Sequence, residues 1–246
     1  VSNILESFTD EPIKVAVIGA SGGIGSAFVD DLCGRDNVEK IFALSRSEKA
    51  FSDDKITTGH IDILDEESVK EAAELCGDEI DLVIVASGML GGGDKLPEKS
   101  LRDLNFDDMQ HTFAINTFGP ALVAKHFLPL LPRKRRGVFA ALSARVGSIS
   151  DNKLGGWYSY RAAKNALNMI IKNAAIEMGR RYDDALVIGL HPGAVDTEMT
   201  RPYHANISYE IFSPEKAAAQ LLNVIDNARP EQSGQFLQWD GEEITP

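Results

Sequence analysis

The sequence predicts an α/β fold, a single Rossmann-like doubly wound parallel sheet flanked by helices on both faces. Three observations carry that expectation. Short apolar runs bounded by turn residues alternate with segments of helical periodicity along nearly the whole chain. The apolar runs are continuous, as in strands buried on both faces. The first run ends in a glycine-rich turn that leads straight into a helix, the arrangement that presents free backbone N–H groups to a pyrophosphate.

The elements follow in order. Residues 1–12 are polar and read as a flexible lead-in. Residues 14–19, Lys-Val-Ala-Val-Ile-Gly, form the first strand. Gly19-Ala-Ser21-Gly22-Gly23-Ile24-Gly25 is the turn, with a helix running to about Cys33. Residues 39–45 and 55–61 are strands two and three. Asp65-Glu-Glu-Ser opens a helix to about Cys76, with acidic groups where the helix dipole favours them. Residues 80–85 make strand four, followed by a loop with Gly91, Gly92, Gly93 and Pro97. A long helix is expected over 107–130, carrying Asn116 and Pro120. Residues 137–142 make strand five, and a polar loop leads into a helix that carries Tyr160. Strand six covers 185–190, Pro214 starts a helix at a position open to proline, and 234–239 form the last strand. No Pro/Gly/Ser-rich linker interrupts the chain, so residues 13–246 are expected to form one domain.

At 246 residues and 43% hydrophobic composition, the chain can bury a substantial core. Its net charge of −12 argues against nucleic acid or an anionic membrane as a main partner. The basic run at 133–136 is short and reads as a solvated loop. Cys33 and Cys76 have neither CxxC nor metal spacing, and the five histidines show no ligand spacing, so no metal is expected. With no visible signal peptide or spanning segment, the expected location is cytoplasmic.

The chemistry is written most plainly in Tyr160-Arg-Ala-Ala-Lys164. Side chains at i and i+4 share a helix face. Moving a phenol from a pKa near 10 to about 7 takes roughly 4 kcal/mol. One ammonium at about 4–5 Å provides roughly 3–4 kcal/mol at an effective dielectric of about 20. A lysine one turn away is thus nearly sufficient to make a tyrosine a working acid.

Taken together, these motifs are similar to those of the short-chain dehydrogenase/reductase family, in the family's order, over about residues 14–239. The glycine motif matches at Gly19, Gly23 and Gly25, with Ser21, Gly22 and Ile24 inside it. Asp62-Ile63 matches the position that meets the adenine. Asn116, Tyr160 and Lys164 match members of the family's active-site tetrad. Pro192-Gly193-Ala-Val195-Asp-Thr197 matches the segment that holds the nicotinamide carboxamide. The approach to Tyr160 and the tail from Phe236 resemble the C-factor and sniffer-type carbonyl reductase subgroup. The resemblance implies hydride transfer between a nicotinamide and a small-molecule carbonyl or alcohol. Tyr160 would be the proton donor, and a homo-oligomer, dimer or tetramer, is implied. Asn116 needs a helix irregularity to release its side chain or carbonyl, and the adjacent Gly119-Pro120 permits one.

Two positions depart from the family pattern. Strand four ends in Ala-Ser87-Gly88 in place of the usual Asn-Asn-Ala-Gly. The active-site serine slot, counted from Gly147, holds Ala144. Neighbouring Ser143 is the expected replacement, brought in by a bulge, with Ser148 the next candidate. Strand two ends in Ser45-Arg46 where an acidic residue would select NAD. An arginine there recognises phosphate through a forked pair of donors, so NADP(H) is expected over NAD(H). Two other readings compete. A non-catalytic dinucleotide-binding or signalling protein could keep the same fold. Gly19-Ala-Ser21-Gly-Gly23 also satisfies the G-x-S-x-G of hydrolases, with His191 as its partner, but it follows the first strand, too early for that elbow.

Overall fold

The computed structural model describes residues 5, 7–9, 11–47, 49–91, 96–206 and 209–246. Seven parallel strands form one sheet in the order β3-β2-β1-β4-β5-β6-β9. They are β1 Ile13–Ile18, β2 Val38–Ser45, β3 Ile56–His60, β4 Leu82–Val85, β5 Gly137–Leu142, β6 Ala185–His191 and β9 Phe236–Gln238. Between them run α1 Gly23–Cys33, α2 Glu66–Cys76, α3 Phe106–Phe113, α4 Gly119–Phe127, α5 Tyr158–Met178 and α6 Pro214–Asn227. β1 pairs with β2 on one side and β4 on the other, so the strand order reverses there. A crevice opens beyond the carboxyl ends of the strands at that reversal.

The alternation of side chains along each strand divides the core into two layers. Val15 and Val17 of β1 pack with Phe28 and Leu32 of α1 and Leu221 of α6. Ala16 and Ile18 face the other way, with Val123 and Phe127 of α4 and Leu167 and Ile171 of α5. Each large apolar side chain buried this way contributes about 1.5–3 kcal/mol relative to exposure. Leu5 and Phe8, in the segment read as a lead-in, are buried in the α1/α6 layer. The Arg136 guanidinium lies 5.3 Å over the Phe8 ring and donates to the Ile225 and Ala228 carbonyls at the end of α6, each at 2.8 Å.

Strand boundaries shift by one or two residues from the sequence expectation. The expected helix over 107–130 is a larger correction. It divides into α3, a π-helical turn over Ala114–Phe118, α4 and a 3-10 turn over Leu128–Leu130. Pro120 is the physical reason: it carries no N–H for the carbonyl of Asn116 four residues earlier. The short pair β7 Ala194–Val195 and β8 Ile211–Phe212 was not expected, because two residues are too few to show a period. Gly92 and Gly93 of the predicted loop lie outside the described residues.

Candidate active site

A cavity of about 890 Å³ opens at the carboxyl ends of β1, β4, β5 and β6. It brings together Gly19, Ser21, Gly22, Gly23, Ile24, Ser45, Arg46, Asp62, Ile63, Ser87, Gly88, Ser143, Tyr160, Lys164, Pro192, Gly193, Val195 and Thr197. Gly25 and Asn116, also singled out from the sequence, stand just behind its wall.

The glycine turn is built for close backbone approach. Gly19 has φ +87, and a Cβ on it would lie 2.9 Å from the Ser87 nitrogen. A Cβ on Gly25 would lie 2.1 Å from the Gly19 carbonyl oxygen, so only glycine lets α1 seat against the turn. Asp65, Asn105 and Ser213 each cap their helix with a side-chain oxygen. No side chain does so for α1. The first-turn N–H groups of α1 therefore face the cavity uncapped, as a pyrophosphate requires. The Ser87 hydroxyl, at the floor of the same cradle, is buried without a partner among the described residues. A glycine cradle, an uncapped helix start and an orphan hydroxyl fit a dinucleotide. On the far wall, Gly193 has φ +78 and backs onto Phe212, whose ring meets Trp239 edge-on at 5.0 Å. At the end of β2 the cavity holds Ser45, whose hydroxyl donates to the Ser47 carbonyl at 2.7 Å, and exposed Arg46. Asp62 there accepts from the Leu64 N–H at 3.0 Å. Ile63 packs where a side chain on Gly119 would stand.

Tyr160, Lys164, Asn116 and Gly88 converge at the centre. A Cβ on Gly88 would lie 3.3 Å from Asn116 Oδ1 and 3.5 Å from Lys164 Nζ. Asn116, fully buried in the π turn, braces the loop after β4: Oδ1 accepts from Met89 N–H at 3.2 Å and Nδ2 donates to the Met89 carbonyl at 3.0 Å. A third bond runs from Nδ2 to the Thr112 carbonyl at 3.0 Å. Lys164 Nζ donates to the Leu142 carbonyl at 2.8 Å and lies 5.8 Å from the centre of the Tyr160 ring.

The electrostatics differ from the sequence expectation of a phenol already drawn toward neutrality. Burial pushes the Tyr160 phenol up to about 12. The same desolvation pushes the Lys164 ammonium down to about 7. Both groups resist charge for one reason, and an amine whose charged form burial disfavours acidifies its neighbour less than a solvated ammonium at the same distance would.

The candidate serines are placed differently by the fold. β5 residues alternate between layers, with Phe139 and Ala141 toward α5, and Ser143 continues on that side. Ser143 lines the cavity, and its hydroxyl donates to Asn168 Oδ1, one turn beyond Lys164 on α5, at 2.7 Å. No bulge is needed. Asn168 Nδ2 is buried without a partner among the described residues. With the two ends of that amide exchanged, Nδ2 would donate to the Ser143 oxygen. Ser148 instead donates to the Thr245 carbonyl and does not line the cavity. Ala144 does line it.

Arg145, His191 and Trp157 also line this cavity. Arg145 had no signal in the sequence, since its place depends on the 3-10 turn Arg145–Gly147 after β5. It bonds Asp151 Oδ2 at 2.8 Å and Gln238 Oε1 at 3.1 Å, tying this turn to β9. Burial and the charge of Arg145 push the His191 imidazole down to about 4, so it is neutral at physiological pH. Ser21 and His191 make no hydrogen bond to each other among the described residues, and Ser21 follows β1, not a later strand. The hydrolase arrangement is therefore not formed. No group of three His, Cys, Asp or Glu among the described residues could hold a metal ion.

The short chain dehydrogenase family model matches residues 14–208. The chain therefore belongs to the short-chain dehydrogenase family. It is 34% identical over 233 residues to a 1-hydroxy-2-glutathionyl-2-methyl-3-butene dehydrogenase of Rhodococcus sp. (strain AD45), covering 92% of this chain and 96% of the relative. It is 32% identical over 173 residues to the C-signal protein of Myxococcus xanthus, covering 70% of this chain and 96% of that one. Among solved structures, NADPH-bound carbonyl reductase from chicken fatty liver superposes with a TM-score of 0.79 at 25% identity. The match covers 96% of this chain and 100% of the chicken enzyme.

Proposed function

We propose that this protein is an NADP(H)-dependent carbonyl reductase or alcohol dehydrogenase acting on a small molecule, with Tyr160 as acid/base. The observation that carries the reading is that Asn116 and Lys164, with Tyr160 beside Lys164, meet at Gly88, which lines the same cavity as an uncapped, glycine-lined helix start. The bound nicotinamide supplies or accepts the hydride. Tyr160 holds the proton that a reduced carbonyl oxygen must receive. Lys164, when protonated, favours the phenolate that remains after that transfer. Asn116 fixes the loop of Met89 against the π turn, so the cavity wall keeps its shape. Ser143, with the Asn168 amide turned, donates a second hydrogen bond to the carbonyl oxygen. Arg46, at the end of β2, would bond a 2′-phosphate through its guanidinium, and the NADPH in the chicken relative supports that choice. Residues 198–212 form the substrate lid, of which Ile207 and Ser208 lie outside the described residues. Residues 13–246 act as one catalytic unit in the cytoplasm.

The test is Tyr160→Phe. NADPH oxidation with a carbonyl panel is expected to fall by about 10²–10⁴, while NADPH binding by fluorescence persists. Unchanged turnover in the variant overturns the assignment. Ala144 in the serine slot favours a second reading, a dinucleotide-binding signalling protein, and the name of the C-signal relative agrees with it. Its signature is a native protein that binds NADPH but does not oxidise it with any carbonyl of the panel.

A further inference from the structure

Among the described residues, the Lys and Arg side chains that line the cavity are Arg46, Lys164 and Arg145. Arg46 follows β2, and Lys164 stands beside Tyr160. Arg145 has no part in the reductase reading. It follows β5, which lies three strand positions from β2 in the sheet. Neighbouring strands are about 4.8 Å apart, so roughly 14 Å separates the two arginines' strands, and one phosphate does not serve both. The turn that carries Arg145 is tied to the acid/base helix. Asn165 Nδ2 donates to the Gly147 carbonyl at 2.9 Å, and Arg161 Nη1 donates to the Val146 carbonyl at 3.1 Å. Arg145 is thereby fixed next to Ser143 and Ala144, on the reacting side of the cavity.

The guanidinium is held without being used up. Nε donates to Asp151 Oδ2 at 2.8 Å and Nη1 to Gln238 Oε1 at 3.1 Å. An arginine has five N–H donors, so three remain, and Nη2 makes no hydrogen bond among the described residues. Gln238 is buried and anchored in turn. Its Nε2 donates to Asp240 Oδ2 at 3.0 Å and to Glu242 Oε2 at 3.1 Å, which leaves Oε1 for Arg145. Asp151 is half exposed, and an ion pair so open to water is weak. His191 of β6 is the register partner of Gln238 and lines the cavity, and its Nδ1 is buried without a partner among the described residues. A neutral imidazole carries one N–H, so this ring can add a donor. The carboxylates that line the cavity, Asp62 after β3 and Glu198 on the lid, form no ion pair with Arg145 among the described residues.

We propose that Arg145 and His191 form a subsite for an anionic group, so that the substrate is a carbonyl or alcohol compound that also carries a carboxylate. Arg145 is the specificity-determining residue, with Gln238 and Asp151 as positioning residues. The inference rests on the reductase reading. The spare N–H groups on Nη1 and Nη2 share one plane and match the two oxygens of a carboxylate. On a chain of net charge −12, an anion needs such a local cation to be held. A hydrogen bond to a charged group corresponds to a preference of about 10- to 100-fold. A methyl ester of the same acid keeps the size and loses the charge.

The test compares 2-oxobutanoate, 3-oxobutanoate and 4-oxopentanoate, which place the carboxylate progressively further from the carbonyl, with their methyl esters under NADPH. In Arg145→Gln, kcat/KM for at least one acid is expected to fall about 10- to 100-fold further than for its ester. An equal fall for acid and ester at every length overturns the proposal. Asp151→Asn removes a carboxylate that competes for the guanidinium, so it is expected to raise the acid-to-ester ratio about two- to fivefold. A merely structural tie would lower both rates alike, and an unchanged or lower ratio counts against the anchor. A second arm needs no turnover: the acids are titrated calorimetrically into the protein saturated with NADP⁺. The native protein is expected to bind the preferred acid about 10- to 100-fold more tightly than Arg145→Gln does. Equal binding, or none by the native protein, rejects the subsite. A native protein that binds an acid through Arg145 yet reduces none of them retains the subsite and loses the reductase reading.

Discussion

Lys164 shows how one buried residue links stability to chemistry. The unfolded chain holds that proton to about pH 10.5, whereas the folded chain releases it near 7. Between those values the unfolded state binds more protons, so raising the pH favours folding. Tyr160 acts in the opposite sense from about pH 10 to 12, where the unfolded phenol ionises before the folded one. The cofactor-free protein is therefore expected to gain thermal stability from pH 7 to 9, and Lys164→Met is expected to flatten that rise. Melting temperatures of both proteins across this range check it; parallel profiles contradict a buried, uncharged lysine. Arg46 makes a separate residue-scale prediction. Arg46→Ala is expected to weaken NADPH binding by about tenfold or more, as loss of a charge-assisted phosphate contact implies, and to leave NADH binding nearly unchanged. Fluorescence titration with both cofactors decides it, and an equal loss for each argues that Arg46 does not read the phosphate.

At the scale of the element, the π turn is the feature that places chemistry. An uninterrupted α-helix over 107–130 would put Asn116 on a regular i→i−4 ladder. Pro120 breaks that ladder, and Asn116 turns its amide onto Met89 and Thr112. Asn116→Ala leaves the Met89 N–H and carbonyl without their partner. It is expected to cost about 1–3 kcal/mol of stability, the desolvation penalty of unpaired buried groups. Urea denaturation measures this, and a change under about 0.5 kcal/mol shows that the brace carries no weight. The sequence made the irregularity legible through Gly119-Pro120, though not its π form. It also made β5 legible to the residue, because Gly137 through Leu142 is a continuous apolar run. The β7/β8 pair was hidden, since two-residue strands are defined by their partner alone.

For the whole molecule, two faces of the sheet are covered and the crevice at the β1/β4 reversal is left for ligand. No described helix is long and apolar enough to cross a membrane. Phe118 at the start of α4 and Met169 and Ile176 on α5 remain 54%, 60% and 50% exposed. The family resemblance implies an oligomer through these helices. We expect a dimer or tetramer by analytical ultracentrifugation and a shift to monomer in Met169→Lys. A monomeric native protein at micromolar concentration rejects that expectation.

The sequence by itself determined the sheet, the glycine cradle and the Tyr160–Lys164 pair. Those depend on local periods: alternation in strands, three to four residues in helices, and turns that only glycine can make. The tertiary structure alone decided how the site is charged, because desolvation of Tyr160 and Lys164 is a property of everything packed around them. It alone decided that Ser143 faces Asn168, that Leu5 and Phe8 join the core, and that Arg145 reaches the cavity. Each of those depends on contacts between residues far apart in the chain, and no local period records them.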